Sequence, residues 1–160
     1  MGEALAEAEA ALGRGDFPVG CVLVSGGGVV ARGSRRGTAG GGCNELDHAE
    51  MTALRELAER PPRTPAGGLS AFCTMEPCLM CFGALMLHGV DRLVFAYEDV
   101  MGGGTGGDRS GMPPLYRDRR IVVRPHVRRD ESLALFKRFF GDPANRYWRG
   151  SLLAEYTLRA

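Results

Sequence analysis

Long apolar runs are absent from this sequence. None approaches the ~20 residues that a membrane-spanning helix needs, so we expect no membrane association. The opening stretch, MGEALAEAEAALGRGDF, alternates alanine with glutamate, which suits a helix in water and neither a signal nor a transit peptide. The 160 residues are 44% hydrophobic and 24% charged, which is typical of a globular protein with one domain.

Cysteine is also scarce, and its count is odd. Five cysteines cannot all pair within the chain, and 160 residues are enough to bury a core without disulfide staples. We therefore expect free or metal-bound thiols in a reducing, cytoplasmic compartment.

Lysine is missing from residues 1–108, which hold 8 Arg against 14 Asp and Glu. Residues 109–160 reverse the balance with 12 Lys and Arg against 5 acids, and six of these arginines fall between Arg117 and Arg129. Such a run is either a solvated face or an edge that meets phosphate groups, and charge alone does not choose between them.

Hydrophobic periodicity and turn residues divide the chain into alternating helices and strands. This alternation favours α/β layers with a sheet covered on its faces. Glycine-rich loops separate these elements at 34–47 and 98–116, and PPRTPAGG ends the second helix. The predicted helices are an opening helix that carries Leu5, Ala8, Ala11 and Leu12 and is ended by Gly13 to Gly15, followed by 48–59, 78–88, 131–140 and 145–158. The predicted strands are 17–24, 29–33, 69–75, 92–97 and 120–125.

The stretch TMEPCLMC, residues 74–81, places two cysteines three apart at a helix start. Cys78 and Cys81 would share one helix face in the first turn after Pro77, where the helix dipole favours thiolates. A redox dithiol, half of a structural zinc site and part of a catalytic zinc site all fit this spacing.

A second motif, DHAE at 47–50, lies upstream at another predicted helix start. Its structural interpretation is a capping box, with Asp47 as N-cap and Glu50 as its partner. Its functional interpretation joins His48 and Glu50 to the downstream cysteines. His-x-Glu followed by Pro-Cys-x-x-Cys is the signature of zinc deaminases, so the combination favours a catalytic zinc site.

The other cysteines and histidines have simpler interpretations. Cys21 and Cys73 lie in apolar strands and are expected in the core. Cys43, in the glycine-rich loop, is the one credible fourth ligand, and its binding would close the site and make it structural. His88 and His126 join no cluster.

The segments HAEMTALREL and TMEPCLMCFGALMLHGVDRLVFAYED resemble the cytidine deaminase-like superfamily, and specifically its bacterial tRNA adenosine deaminase branch. FPVGCVLV and RDESLALFKRFF follow the same order, so the resemblance covers about residues 2–140. It implies an α/β fold, a three-layer α/β/α sandwich around a five-stranded mixed sheet. It also implies one domain over 1–160, with a family-like core at 1–140 and a divergent tail at 141–160, and a homodimer.

The resemblance assigns one Zn²⁺ per chain to His48, Cys78 and Cys81, with Glu50 as proton shuttle. Three protein ligands leave a fourth position for water, whose pKa zinc can lower toward ~7. Residues i and i+2 of a helix do not share a face. His48 and Glu50 can therefore serve one zinc only if the metal lies off the end of their helix.

The resemblance further implies a substrate pocket above the zinc. In the branch an asparagine after the second strand bonds the base, whereas here Arg35 or Arg36 stands near that place, and arginine supplies donors only. Tyr147 and Trp148 in the tail are either a stacking platform for a base or part of a helix that packs on the core or at a dimer seam. The implied lining is Phe17, Pro18, Val19, Ala49, Glu76, Asp99 and Arg35.

The sequence thus predicts a zinc-dependent hydrolytic deaminase that converts adenosine to inosine in tRNA. A deaminase of a free nucleobase or nucleoside, such as guanine, cytosine or cytidine, is the alternative within the same chemistry. A non-catalytic, zinc-stabilised RNA-binding module and a thiol redox protein are the alternatives outside it.

Overall fold

The computed structural model describes residues 1–42, 44–59 and 68–160. The predicted role of Cys43 therefore lies outside the described residues. Among them, no helix has the length and apolar character needed to cross a membrane. The strands are β1 (Gly20–Ser25), β2 (Gly28–Ser34), β3 (Leu69–Met75), β4 (Val90–Tyr97) and β5 (Val122–Arg124); the helices are α1 (Gly2–Gly13), α2 (Ala49–Ala58), α3 (Leu79–Leu87), α4 (Pro114–Arg117), α5 (Arg129–Gly141) and α6 (Leu152–Arg159).

The five strands form one mixed sheet in the order β2-β1-β3-β4-β5. β1 runs antiparallel to both β2 and β3, whereas β3, β4 and β5 are parallel. Parallel neighbours need a crossover connection, and α3 supplies it between β3 and β4. The predicted five-stranded mixed sheet is confirmed.

Two glycines allow helices to lie directly against the β1–β2 hairpin. A Cβ on Gly20 would lie 2.1 Å from the carbonyl oxygen of Ala4 in α1, and a Cβ on Gly33 would lie 2.1 Å from that of Ala49 in α2. Gly33 is paired with Cys21, the residue after Gly20, and successive residues of a strand face opposite sides. α1 and α2 therefore cover opposite faces of the sheet.

The remaining helices complete the two outer layers. α5 contacts α1, α6, β3 and β4, while α3 contacts α2, α4 and β4. The predicted three-layer α/β/α sandwich is confirmed. Cys21 and Cys73, directly opposite each other on β1 and β3, are fully buried free thiols with their sulfurs 3.7 Å apart, in the core as predicted.

The tail differs from its prediction. A helix over 145–158 was expected, but the helix starts at Leu152, after Ser151, whose side chain accepts a hydrogen bond from the Ala154 amide at 3.2 Å. Gly150 and Trp148 take positive φ values of 73° and 50°, which no α-helix tolerates. The aromatic residues before α6 are therefore held in a loop.

Candidate metal and active site

The two motifs meet because each precedes a helix at one edge of the sheet. His48 is the N-cap of α2 and Cys78 is the N-cap of α3, both with extended backbone angles, and Cys81 lies in the first turn of α3. Their side chains therefore project beyond the helix ends. This is the arrangement that a metal shared by the two motifs requires.

The capping-box interpretation is wrong, because α2 begins one residue later than predicted. His48, not Asp47, is the N-cap, and it makes no side-chain capping bond. The Asp47 carboxylate instead accepts hydrogen bonds from the side chains of Asn44 and Arg55. Glu50 is thereby free of a capping role and is buried, with 3% exposure.

The three candidate ligands have the spacing of a zinc site. His48 Nδ1 lies 3.6 Å from Cys78 Sγ and 3.4 Å from Cys81 Sγ, and all three atoms lie within 4.8 Å of one another. Tetrahedral zinc with Zn–S bonds of about 2.3 Å and Zn–N bonds of about 2.0 Å sets its ligand atoms roughly 3.6 Å apart. One zinc ion fits these three donors, and among the described residues, which do not include Cys43, no fourth ligand joins the group.

The ionisation of the thiols also favours a cation. The hydrogen bond with Cys81, together with that from His48, lowers the pKa of Cys78 to about 4 despite partial burial. The same bond to Cys78, together with burial, raises the pKa of Cys81 far above its usual range. One thiolate forms easily and the second does not, unless a metal ion compensates its charge.

Glu50 lies beside these ligands in the same cavity as His48 and Cys78. Burial raises the pKa of its carboxyl, although its own backbone hydrogen bond and the proximity of His48 oppose the rise. A carboxyl whose pKa is raised by burial holds a proton more readily, which suits a group that must both accept and donate one.

The cavity above the site measures about 70 Å³. Six of the seven residues predicted for the pocket line it, whereas Pro18 is fully buried and is not among its lining residues. The structure places Arg35 there and leaves Arg36 exposed. Met75 and Gly102 also line the cavity and were not predicted from the sequence. Tyr147 and Trp148 line it as well, although packing in the core or at a dimer seam was the favoured interpretation for them.

Glu76 and Asp99 line the cavity, but their carboxylates mainly order the loop after β4. Glu76 accepts hydrogen bonds from the amides of Asp99 and Thr105, both at 3.2 Å, and from the Thr105 hydroxyl at 2.5 Å. Asp99 accepts from the amides of Met101 and Gly102, both at 2.9 Å. These bonds hold the loop against the start of α3.

Tyr147 and Trp148 bring the tail to the site. Their rings stack on each other with centroids 5.0 Å apart, and both rings contact Phe17. The sequence drew attention to this aromatic pair, but it predicted a helix where the structure has a loop. Tyr147 thus belongs both to the core and to the cavity wall.

Comparison with known proteins supports the deaminase family that the sequence motifs indicate. The family model described as the cytidine and deoxycytidylate deaminase zinc-binding region matches residues 1–97. The tRNA-specific adenosine deaminase of Streptococcus pyogenes serotype M18 is 30% identical over 129 residues, which cover 81% of this chain and 77% of the relative.

Two solved structures are similar over most of the chain. One, from a study of A-to-I editing by tRNA:A34 deaminases, is 30% identical with a TM-score of 0.67 and covers 84% of this chain and 96% of its own. Another, of NE0047 in complex with 2,6-diaminopurine, is 25% identical with a TM-score of 0.67 and covers 86% and 78%. With a matched family model and a site whose donors fit one zinc ion, this chain belongs to the zinc-binding cytidine and deoxycytidylate deaminase family.

Proposed function

We propose that this protein is a zinc-dependent hydrolytic deaminase that converts adenosine to inosine in tRNA and releases ammonia. The carrying observation is the triangle of His48 Nδ1 and the two cysteine sulfurs, with spacings of 3.4 and 3.6 Å to the histidine, beside the buried carboxyl of Glu50. Three ligands with one open position characterise catalytic rather than structural zinc sites.

The metal ligands and Glu50 have separate roles in this reaction. His48, Cys78 and Cys81 hold the metal, which when bound supplies a water of lowered pKa and a polarising positive charge. Glu50 takes the proton from the attacking water and delivers it to the ring nitrogen beside the reacting carbon. The water oxygen bonds to the ring carbon, Glu50 transfers the second proton of that water to the exocyclic amine, and the C–N bond breaks to release ammonia.

Two observations support tRNA as the substrate. The S. pyogenes relative is by name a tRNA-specific adenosine deaminase. Within the arginine run, Arg128 and Arg129 pair with Glu131 and Glu98. Arg117 pairs with Asp118 at 2.9 Å. The other three side chains, of Arg119, Arg120 and Arg124, are exposed and can meet RNA phosphates.

A free base is the second candidate, and the cavity favours it. Its volume of about 70 Å³ is far below the roughly 300–1,000 Å³ of ordinary ligand pockets. Tyr147 and Trp148 form part of its wall, so a nucleotide within RNA requires more space than a bare base. NE0047 binds a bare purine, 2,6-diaminopurine.

A substrate panel tests the proposal. Zinc-loaded protein is incubated with transcribed tRNA and, separately, with guanine, cytosine and cytidine, and both inosine and ammonia are measured. We expect inosine at one tRNA position. Ammonia release from a free base, with no inosine formed in tRNA, would favour a deaminase of free bases over a tRNA adenosine deaminase. No product from any substrate, at full zinc occupancy, would favour the non-catalytic RNA-binding module.

We further propose a cytoplasmic homodimer in which residues 1–160 act as one domain. α3, which carries two metal ligands, exposes Leu79 and Leu87 at 61% and 45%. Exposed apolar side chains on a helix next to the site suit a subunit interface. Light scattering of the purified protein should give twice the chain mass of 17.2 kDa.

A further inference from the structure

Glu45 lies beside the second ring nitrogen of the candidate metal ligand His48. The first ring nitrogen, Nδ1, lies 3.4 Å from Cys81 Sγ and belongs to the metal-ligand group. The second, Nε2, lies 3.7 Å from Glu45 Oε2, in the loop that leads into α2. One nitrogen of the ring thus faces a thiol and the other faces a carboxylate.

The protonation of the His48 ring gives this carboxylate a role. Nδ1 can bind a metal only with a free lone pair, so the ring must be neutral and carry its proton on Nε2. The separation of 3.7 Å is an ion-pair contact and is longer than a hydrogen bond. At this distance the negative charge of Glu45 attracts an Nε2–H dipole and favours that tautomer. Histidine ligands of metal sites commonly have such a carboxylate at their second nitrogen.

The Glu45 carboxylate is held in place although half of the side chain is exposed. Arg35 donates from Nη2 to Glu45 Oε2 at 2.9 Å. The Tyr147 hydroxyl donates to the same carboxylate and lies 3.0 Å from each of its oxygens. Arg35 and Tyr147 are both buried, so their polar groups have little freedom to move. Two rigid donors therefore fix the carboxylate beside the ring before any metal binds.

These contacts join the tail of the chain to the metal centre. Arg35 follows β2, whereas Tyr147 lies in the loop before α6, 102 residues after Glu45. The Arg35 guanidinium also donates to the Tyr147 hydroxyl at 3.1 Å, which closes a network of three side chains. The tail thus reaches His48 through one intervening carboxylate.

We propose that Glu45 is a positioning residue of the metal centre, whose carboxylate orients the His48 ring and keeps its proton on Nε2, and that Arg35 and Tyr147 hold this carboxylate. The proposal rests on the zinc site of the proposed deaminase. A carboxylate at the second nitrogen also makes the first a stronger donor to the metal. Loss of Glu45 therefore weakens zinc binding.

Zinc affinity, measured by competition with a chelator at one fixed pH, tests this role without any substrate. We expect binding weaker by roughly 10- to 100-fold in E45A. E45Q should lose less, because its amide oxygen still accepts from Nε2. Y147F removes a hydroxyl that holds the carboxylate and should also weaken binding. The matched control is E59Q, which changes an exposed glutamate at the other end of α2 and should leave the affinity unchanged.

Nuclear magnetic resonance of the histidine rings separates positioning from a merely structural effect. The chain has three histidines, so labelling them with nitrogen-15 gives a simple spectrum. In the zinc-loaded wild type we expect His48 to carry its proton on Nε2. E45A should shift the Nε2 resonance of His48 and leave those of His88 and His126 in place.

Melting temperatures of the same variants report the separate cost of leaving Arg35 without its counter-charge. Wild-type zinc affinity and an unshifted His48 resonance in E45A would overturn the positioning role, even if that variant melts at a lower temperature. If E45A does not fold, wild-type affinity in both E45Q and Y147F would overturn it. Deamination enters none of these measurements, so a zinc-loaded wild type without activity would reject the proposed function alone.

Discussion

His48 Nδ1 and Cys81 Sγ lie 3.4 Å apart although 33 residues separate them in sequence. The contact exists because α2 and α3 begin at the same edge of the sheet, each after a residue with extended backbone angles. The site therefore depends on how closely both helices approach the strands.

Gly33 provides the first prediction. In G33A the new Cβ would lie 2.1 Å from the Ala49 carbonyl oxygen, so α2 must move away from β2. We expect a loss of about 1–3 kcal/mol in unfolding free energy and weaker zinc binding, measured by thermal denaturation and metal titration. G28A in the same strand meets no atom closer than 4.0 Å and is the control. Equal stability of the two variants would refute the close approach.

The docking of the tail provides the second prediction. The hydroxyls of Tyr97 in β4 and Thr157 in α6 are 2.9 Å apart and both residues are fully buried. T157V should cost about 1–3 kcal/mol because it leaves the Tyr97 hydroxyl unpaired, whereas adding Y97F should recover part of that loss. Denaturant unfolding of both single variants and the double variant measures the coupling. Strict additivity would contradict the hydrogen bond.

Much of this architecture follows from local sequence patterns. β3 was predicted at its observed bounds, because LSAFCTM is apolar, alternates and has turn residues on both sides. The candidate metal ligands could be predicted because His-x-Glu and Cys-x-x-Cys each occur beside a predicted helix start. Such signals lie within a few neighbouring residues.

What escaped prediction depends on contacts between distant residues. The start of α2 shifted because Asp47 bonds Asn44 and Arg55 instead of capping the helix. Trp148 reached the cavity through a left-handed backbone angle that favourable packing on Phe17 stabilises. The burial of Arg35 depends on Tyr147, 112 residues further along the chain.

Glu98 gives the third prediction, which concerns pH. Burial alone would raise its pKa, but hydrogen bonds from Arg129 and Tyr156 lower it to about 2, and His126 lies 3.4 Å away. The pKa is thus lower in the folded state than the ordinary 4.5. The stabilisation is complete above pH ~4.5 and is lost as pH falls toward ~2.

Stability measured by denaturant unfolding across pH 2–6 tests this point. We expect E98Q to be less stable than the wild type at pH 6 and to lose less stability than the wild type as the pH falls from 6 to 2. E7Q, which changes a glutamate outside this cluster, is the control. A wild-type profile that E98Q leaves unchanged would contradict the lowered pKa.

The most direct test of the account is the Glu50→Ala variant, assayed for both metal content and deamination. Glu50 is proposed to move protons while His48, Cys78 and Cys81 hold the ion. We therefore expect about one zinc per chain in both proteins, with product formation in the wild type and none above background in the variant. Undiminished deamination by this variant would contradict the proposed catalytic site, and a wild-type protein that binds no zinc would contradict its metal centre.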